Sequence, residues 1–405
     1  MDIHTKTKLL EDCEHKPTRK YAPLSKFIGY CLLACLFAAS CKNSKLPNVS
    51  SDYPNVSNIY LLMEDDNFIA YCKHAGFCGG DGILTPAEAA AVTEIRVTSL
   101  DITSLKGIEY FTGLTYLNCF YNKLQALDVS KNKKLAHLNC CDNKLQTLDV
   151  NNNMKLIHLD CAYNKLQTLD VSNNKKLTWF NCSTNKLQTL DVSNNTELTW
   201  LGCSNNPLQT LDVNNNTELI VLGCMSNQLQ ILNVNNNTKL KVLDCMNNKL
   251  QTLDVNSNAE LDYLDCKNNE LRILDVSNKT ELIYLNCGDN PLQTLDISNN
   301  TKLAHLGCAK NQLQTLDVSN NKKLTYLDCE DNPLQTLDVN NNTKLKALLC
   351  SNNKLQTLDV SNNAELTHFY CSDNKLTEIL VWTGFSSDAL SGYKIDEGVT
   401  FVEKK

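Results

Sequence analysis
The sequence predicts a β-rich solenoid, a right-handed superhelix with parallel strands on its concave face, mostly extended segments on its convex side and a small helical N-terminal cap. Three observations lead to it. Cysteines recur from Cys119 to Cys371 at a step of 21 residues held without an insertion. Asparagines keep the same step from Asn122 to Asn374. Between them run short alternations of apolar and polar residues, the period of a strand with one buried face. Each unit is too small to bury its own apolar face and must gain a core by stacking on its neighbours.

The unit at 198–218 reads LTWLGCSNNPLQTLDVNNNTE. Alternation at Leu201, Gly202 and Cys203 sends its fourth and sixth positions inward and its third, fifth and seventh outward, giving one short parallel strand per coil. Asn206 then turns the chain, its amide placed to bond backbone groups left open at the corner. Thirteen such coils at about 4.8 Å make a body on the order of 60 Å long. The second half of most units, LQTLDVSNN or a close variant, nearly copies the first and has no helical period. It predicts a second extended segment in place of a helix.

The pattern L-x-x-L-x-C-x-x-N-x-L resembles the leucine-rich-repeat family, with Cys203 at a leucine position and Asn206 at that of the asparagine ladder. The nested ten-plus-eleven periodicity resembles a bacterial subclass known from surface lipoproteins of the Bacteroides group. The array runs over 92–378, with an opening unit of 22 residues at 92–113 that has Leu100 where asparagine is expected, followed by thirteen units of 21. Leu380 replaces an expected aspartate, and 379–405 breaks the period as a C-terminal cap.

The N-terminal segment reads as a targeting signal. Lys16, Arg19, Lys20 and Lys26 precede an uncharged run at 27–39, short for a membrane span and suited to a signal-peptide core. The run ends in Ala38, Ala39, Ser40 and Cys41, which resembles the bacterial lipobox and implies a signal peptide over 1–40 and a lipid on Cys41. Residues 41–58, rich in Ser, Asn and Pro, predict a disordered tether. Removing 1–40 takes six basic and four acidic residues from a chain of net charge −7, leaving −9. Lysines are scattered among Asp and Asn with no clustered basic footprint, which excludes nucleic acid as a partner. Localisation follows from the anchor: the outer membrane or surface of a Gram-negative cell, with the membrane touched through the lipid alone and the chain a monomer.

A helical cap is expected over 59–91. Phe68, Ile69 and Cys72 have helical spacing, and Thr85, Pro86 and Glu88 form an N-cap, a first-turn proline and a capping-box acid. Asp81, Gly82 and Glu88 also match the fifth, sixth and twelfth positions of an EF-hand loop, but Phe77 and Gly79 stand where the first and third oxygen ligands belong, so the capping box is the reading preferred. Cys72 and Cys78 are close enough in sequence to bridge in an oxidising compartment, which spacing alone does not decide.

Four columns repeat along the array. The cysteines are expected to be inert thiols filling a narrow core, since sulfurs on a line cannot converge on zinc. Aspartates from Asp128 to Asp359, interrupted by Asn233, stack on the convex side; they are expected to accept turn hydrogen bonds and to be balanced by lysines such as Lys123, Lys144, Lys165 and Lys186. The outward third position holds Tyr116, His137, His158, Trp179, Trp200, Val221, Val242, Tyr263, Tyr284, His305, Tyr326, Ala347 and His368. Beside it the fifth position includes Asp160, Asp244, Asp265 and Asp328.

Outward Trp and Tyr supply rigid contact area with a polar edge, so the ridge with its flanking aspartates is the candidate ligand-binding surface. Its bland counterpart is a cross-strand stack that covers only its own sheet. His137, His158 and Asp160 are better placed to stack than to hold a metal, and no metal or cofactor is expected. The sequence has no nucleophile elbow, phosphate loop or converging acid–base pair, which argues against an enzyme. The resulting expectation is recognition of a protein partner at the concave face, of the adhesion or host-interaction type that the family resemblance implies. A glycan ligand and a ligand-free spacer are the alternatives.

Overall fold
The computed structural model describes residues 57–404, so the signal segment, Cys41 and nearly all of the tether lie outside the described residues. A cap of two helices, α1 (Asp66–His74) and α2 (Pro86–Ala91), precedes a sheet that opens with β1 (Glu94–Arg96) and β2 (Tyr116–Asn118). From β2 a three-residue strand recurs every 21 residues to β14 (His368–Tyr370). All pair in parallel and in sequence order, with Trp200 opposite Val221 and Leu201 opposite Leu222 as one example. After β14 the order breaks. β15 (Glu378–Val381) leaves the sheet to pair with β17 (Thr400–Glu403), while β16 (Gly392–Lys394) takes the place beside β14 and closes a sheet of 15 strands.

Inside each coil the fourth and sixth positions are buried, as Leu201 and Cys203 show with no exposed surface. The cysteines from Cys119 to Cys371 are free thiols in one column. Burial pushes the Cys119 and Cys203 thiols up to about 12, so they stay protonated. Several donate to the next coil, for example Cys119 Sγ to the Asn139 carbonyl at 3.4 Å. A thiol suits this narrow core because it is small, apolar and still able to donate weakly.

The asparagine corner works as a ladder. Asn206 Nδ2 donates to the carbonyls of Cys182, Cys203 and Ser204 at 3.1–3.2 Å, while its Oδ1 accepts from Leu187 N at 3.0 Å. A second ladder, visible in the sequence as the closing asparagine of L-x-x-L-D-V-x-x-N but given no role there, runs from Asn132 to Asn363. Asn216, fully buried, donates through Nδ2 to Val192 O and Asn195 O at 3.0 and 2.9 Å.

The residue just before each corner asparagine is left-handed, from Tyr121 to Asp373, with φ between 51° and 57°. Asn tolerates this region; a β-branched residue does not. Thr184, at φ 54°, is therefore strained. Thr184→Asn is expected to stabilise the fold by about 1 kcal/mol, seen as a higher midpoint in a thermal melt. An unchanged or lower midpoint would show that the corner relaxes around threonine.

On the convex side the chain is more broken than a continuous extended segment. Pairing is confined to isolated bridges such as Asp128 with Asp149 and Asp191 with Asp212, followed by turns. The cause is the aspartate column itself: Asp191 Oδ1 accepts Ser193 N at 2.9 Å, and Asn233 replaces its neighbours faithfully by accepting Asn235 N at 3.0 Å. The expected lysine partners differ. Lys123 pairs with Asp101, off the column, and Lys404 pairs with Asp359, whereas among the described residues Lys144, Lys165 and Lys186 form no ion pair. Bonds from the side chain and backbone of Ser193 hold the Asp191 carboxyl below its ordinary range.

The cap is tied on by Asp65, whose Oδ1 caps α1 through Asn67 N and Phe68 N while Oδ2 accepts Thr103 N at 2.7 Å from the opening unit. Glu88 closes the capping box on Thr85 with one oxygen and accepts Gly79 N with the other; Asp81 accepts Ile83 N. The acidic groups of the EF-hand-like stretch thus serve the loop's own backbone. Cys72 and Cys78 are free thiols here.

Candidate functional site
The third-position side chains stand in two ring stacks, because a parallel in-register sheet repeats each side chain at the spacing of aromatic contact. In the first, Tyr116, His137 and His158 are tilted at 5.8 Å between centroids, after which His158–Trp179 and Trp179–Trp200 stack at 4.1 and 4.5 Å. In the second, Tyr263, Tyr284, His305 and Tyr326 stack at 4.2–4.3 Å. Val221 and Val242 separate them. Arg96, which sequence reasoning left aside, lies 4.2 Å over Tyr116 and donates to its hydroxyl, extending the first stack to β1.

The rings are partly exposed with one exception, Tyr263, which keeps only 4% of its surface. Trp200 lies across its own strand: a Cβ at Gly202 would fall 2.5 Å from the indole, so glycine at the fifth position gives the ring its seat.

The flanking aspartates differ from the expectation of outward groups. Asp244 and Asp265 are 3% and 4% exposed. All four predicted aspartates accept the backbone N–H two residues on: Asp160 from Ala162 at 3.2 Å, Asp244 from Met246 at 3.1 Å, Asp265 from Lys267 at 3.0 Å and Asp328 from Glu330 at 3.2 Å. Asn286 Nδ2 adds a bond to Asp265 Oδ2 at 3.1 Å. Their first task is to turn the chain out of each strand. Desolvation raises the Asp160 carboxyl to about 7 and that of Asp328 to about 6.

Burial in the stacks lowers His158 and His305 to about 4, so both rings are neutral at pH 7. An unfolded histidine takes up its proton near about pH 6.5, and the folded ring resists until about 4. Each therefore contributes a loss of stability that grows as pH falls through that window. His305→Phe keeps the stack and removes one such group. Its melting temperature should fall less between pH 7 and pH 4.5 than that of wild type; an equal fall would place the acid sensitivity elsewhere.

Among the described residues no group of His, Cys, Asp and Glu is arranged to hold a metal, and no helix is long and apolar enough to cross a membrane.

The LVIVD repeat family matches residues 263–287. No curated protein sequence matches the chain. Among solved structures, the functional domain of InlJ from Listeria monocytogenes, which includes a cysteine ladder, is 36% identical, with a TM-score of 0.77 over 80% of this chain and 75% of that one. An internalin, inlF, from the same species is 21% identical (TM-score 0.65; 84% and 98% covered). The leucine-rich effector protein YopM from Yersinia pestis is 23% identical (TM-score 0.59; 77% and 88% covered); these last two share the fold. The likeness to InlJ extends to the column of cysteines, and this chain belongs to the internalin-type leucine-rich-repeat proteins of bacteria.

Proposed function
We propose that this protein is a recognition module of the cell envelope that binds a protein partner through its concave face, in adhesion or host interaction, and that it is not a catalyst. One observation carries the reading: Trp179 and Trp200 form a stacked, partly exposed indole pair on a rigid sheet. Such a pair presents large apolar area already ordered, so little side-chain entropy remains to be lost on binding. Tyr116, His137 and His158 continue the surface toward the cap; Tyr284, His305 and Tyr326 offer a second patch. Tyr263 stacks on Tyr284 to close that patch, and Asp160, Asp244, Asp265 and Asp328 fix the turns at the ends of their strands.

The lipobox-like sequence ending at Cys41 supports display as a monomer on a lipid anchor in the outer membrane, with the tether setting the reach, in the manner of the Bacteroides-group lipoproteins that the nested repeat resembles. Arrays of host and envelope proteins and of glycans, probed with the full chain and with a Trp179→Ala/Trp200→Ala variant, test the assignment. Capture of a protein by wild type but not by the variant supports it. Capture of glycans alone at the same residues would replace protein with carbohydrate as the ligand class.

A further inference from the structure
A second site lies beyond the ring ridge, at the C-terminal margin of the sheet. Three successive coils and β16 enclose an open cavity of about 360 Å³ whose walls include Glu330, Asp331, Asn352, Tyr370, Asp373 and Lys394. Its size is within the range of small-molecule sites. Its lining is unlike the ridge. There is one ring, from Tyr370, and the remaining groups are polar and of mixed character.

The placement follows from the fold. Asp331, Asn352 and Asp373 occupy the left-handed position of consecutive coils, with φ of 54°, 53° and 57°, one above the other at the strand ends. Asn352 Nδ2 donates to Asp331 Oδ1, and Ser372 Oγ donates to Asp373 Oδ2 at 3.0 Å. Lys394, at the end of β16, stands 3.7 Å from the same Asp373 oxygen. Tyr370 owes its position to Gly392 of β16, where a Cβ would fall 2.5 Å from the tyrosine oxygen. The departure of β15 and the insertion of β16 therefore bring the lysine and the glycine to this wall.

We infer that this cavity binds a neutral saccharide. A sugar hydroxyl both donates and accepts, and a pair of them is matched by a planar carboxylate or carboxamide. Glu330, Asp331 and Asp373 supply acceptors, Asn352 and Lys394 supply donors, and the Tyr370 ring offers an apolar wall for the C–H face of a pyranose. An anionic sugar would meet three carboxylates against one ammonium. A cation needs acceptors alone and would meet Lys394. The site is distinct from the protein-binding reading of the ridge and stands or falls without it.

Isothermal titration of the full chain with glucose, galactose, N-acetylglucosamine and their disaccharides tests this. At least one should bind saturably, with a dissociation constant on the order of a millimolar or tighter. Asp331→Ala/Asp373→Ala should weaken it tenfold or more, while Trp179→Ala/Trp200→Ala leaves it unchanged. A melt at the wild-type temperature shows that the first variant still folds, and the separate Asn352→Ala variant, at an exposed side chain, should lose affinity in the same direction. The inference is overturned if no neutral sugar saturates, if binding survives both cavity variants, or if argininamide displaces the sugars as the preferred ligand.

Discussion

Asn206→Ala is expected to destabilise the fold by roughly 3–5 kcal/mol. The substitution removes the donors that three carbonyls share and leaves Leu187 N, inside the solenoid, without its acceptor. A buried N–H without a partner carries the full desolvation penalty, and each weakened carbonyl adds a smaller amount. Each coil rests only on its neighbours, so the damage should open the array locally at 182–206 and spread from there. Thermal or urea unfolding gives the magnitude, and hydrogen exchange at Leu187 N gives the location. Asn215→Ala, one turn away on an exposed side chain, should change stability by less than about 0.5 kcal/mol. Equal losses from the two variants would mean that the ladder is ornamental.

Lys279→Asn is expected to stabilise the protein by about 1–2 kcal/mol. Lys279 interrupts the second ladder: it is fully buried, and its ammonium turns out to Asn256 O and Asn278 Oδ1. The rungs on either side are intact, Asn258 Nδ2 reaching Val234 O and Asn237 O, and Asn300 Nδ2 reaching Val276 O and Lys279 O. By the same register an asparagine at 279 would serve Val255 O and Asn258 O. Burial also lowers the pKa of the ammonium, the sign of a charge held in an unfavourable place. A raised melting midpoint would confirm the missing rung, and a lowered one would show that Lys279 has packing the asparagine cannot replace.

Those two residues also mark how far the sequence can be read. The 21-residue step, the inward leucine and cysteine, and the corner asparagine are all legible because each depends on its own coil and an identical neighbour. The strand at Trp200–Gly202 therefore falls where alternation puts it. What could not be read depends on unlike neighbours. Asp160 and Asp244 hold the same fifth position in their coils, yet Asp160 is partly exposed and Asp244 keeps only 3% of its surface. The left-handed column is Asn or Asp in eight of its thirteen coils, a signal that Tyr121, Thr184 and Lys310 interrupt. The insertion of β16 next to β14 comes from a segment without period, and with it the polar cavity around Tyr370 and Lys394.

The candidate ridge was legible as a column but not as two stacks. Val221 and Val242 were visible in the sequence as a gap. That Trp200 lies over Gly202, and that His158 and His305 are held neutral between rings, needed the geometry. These same contacts explain why a ridge of aromatic groups can stay partly exposed: each ring covers a face of the next.

The most direct test of the central claim is the affinity of a protein captured by the full chain, compared among wild type, Trp179→Ala/Trp200→Ala and Ile231→Ser, a control at a side chain 75% exposed on the other side of the coil. With the concave ridge as the contact surface, the tryptophan variant should bind at least a hundredfold more weakly, a loss of about 2.7 kcal/mol or more, while Ile231→Ser binds as wild type does. Equal affinity of the tryptophan variant and wild type, at matched melting temperatures, would contradict the account.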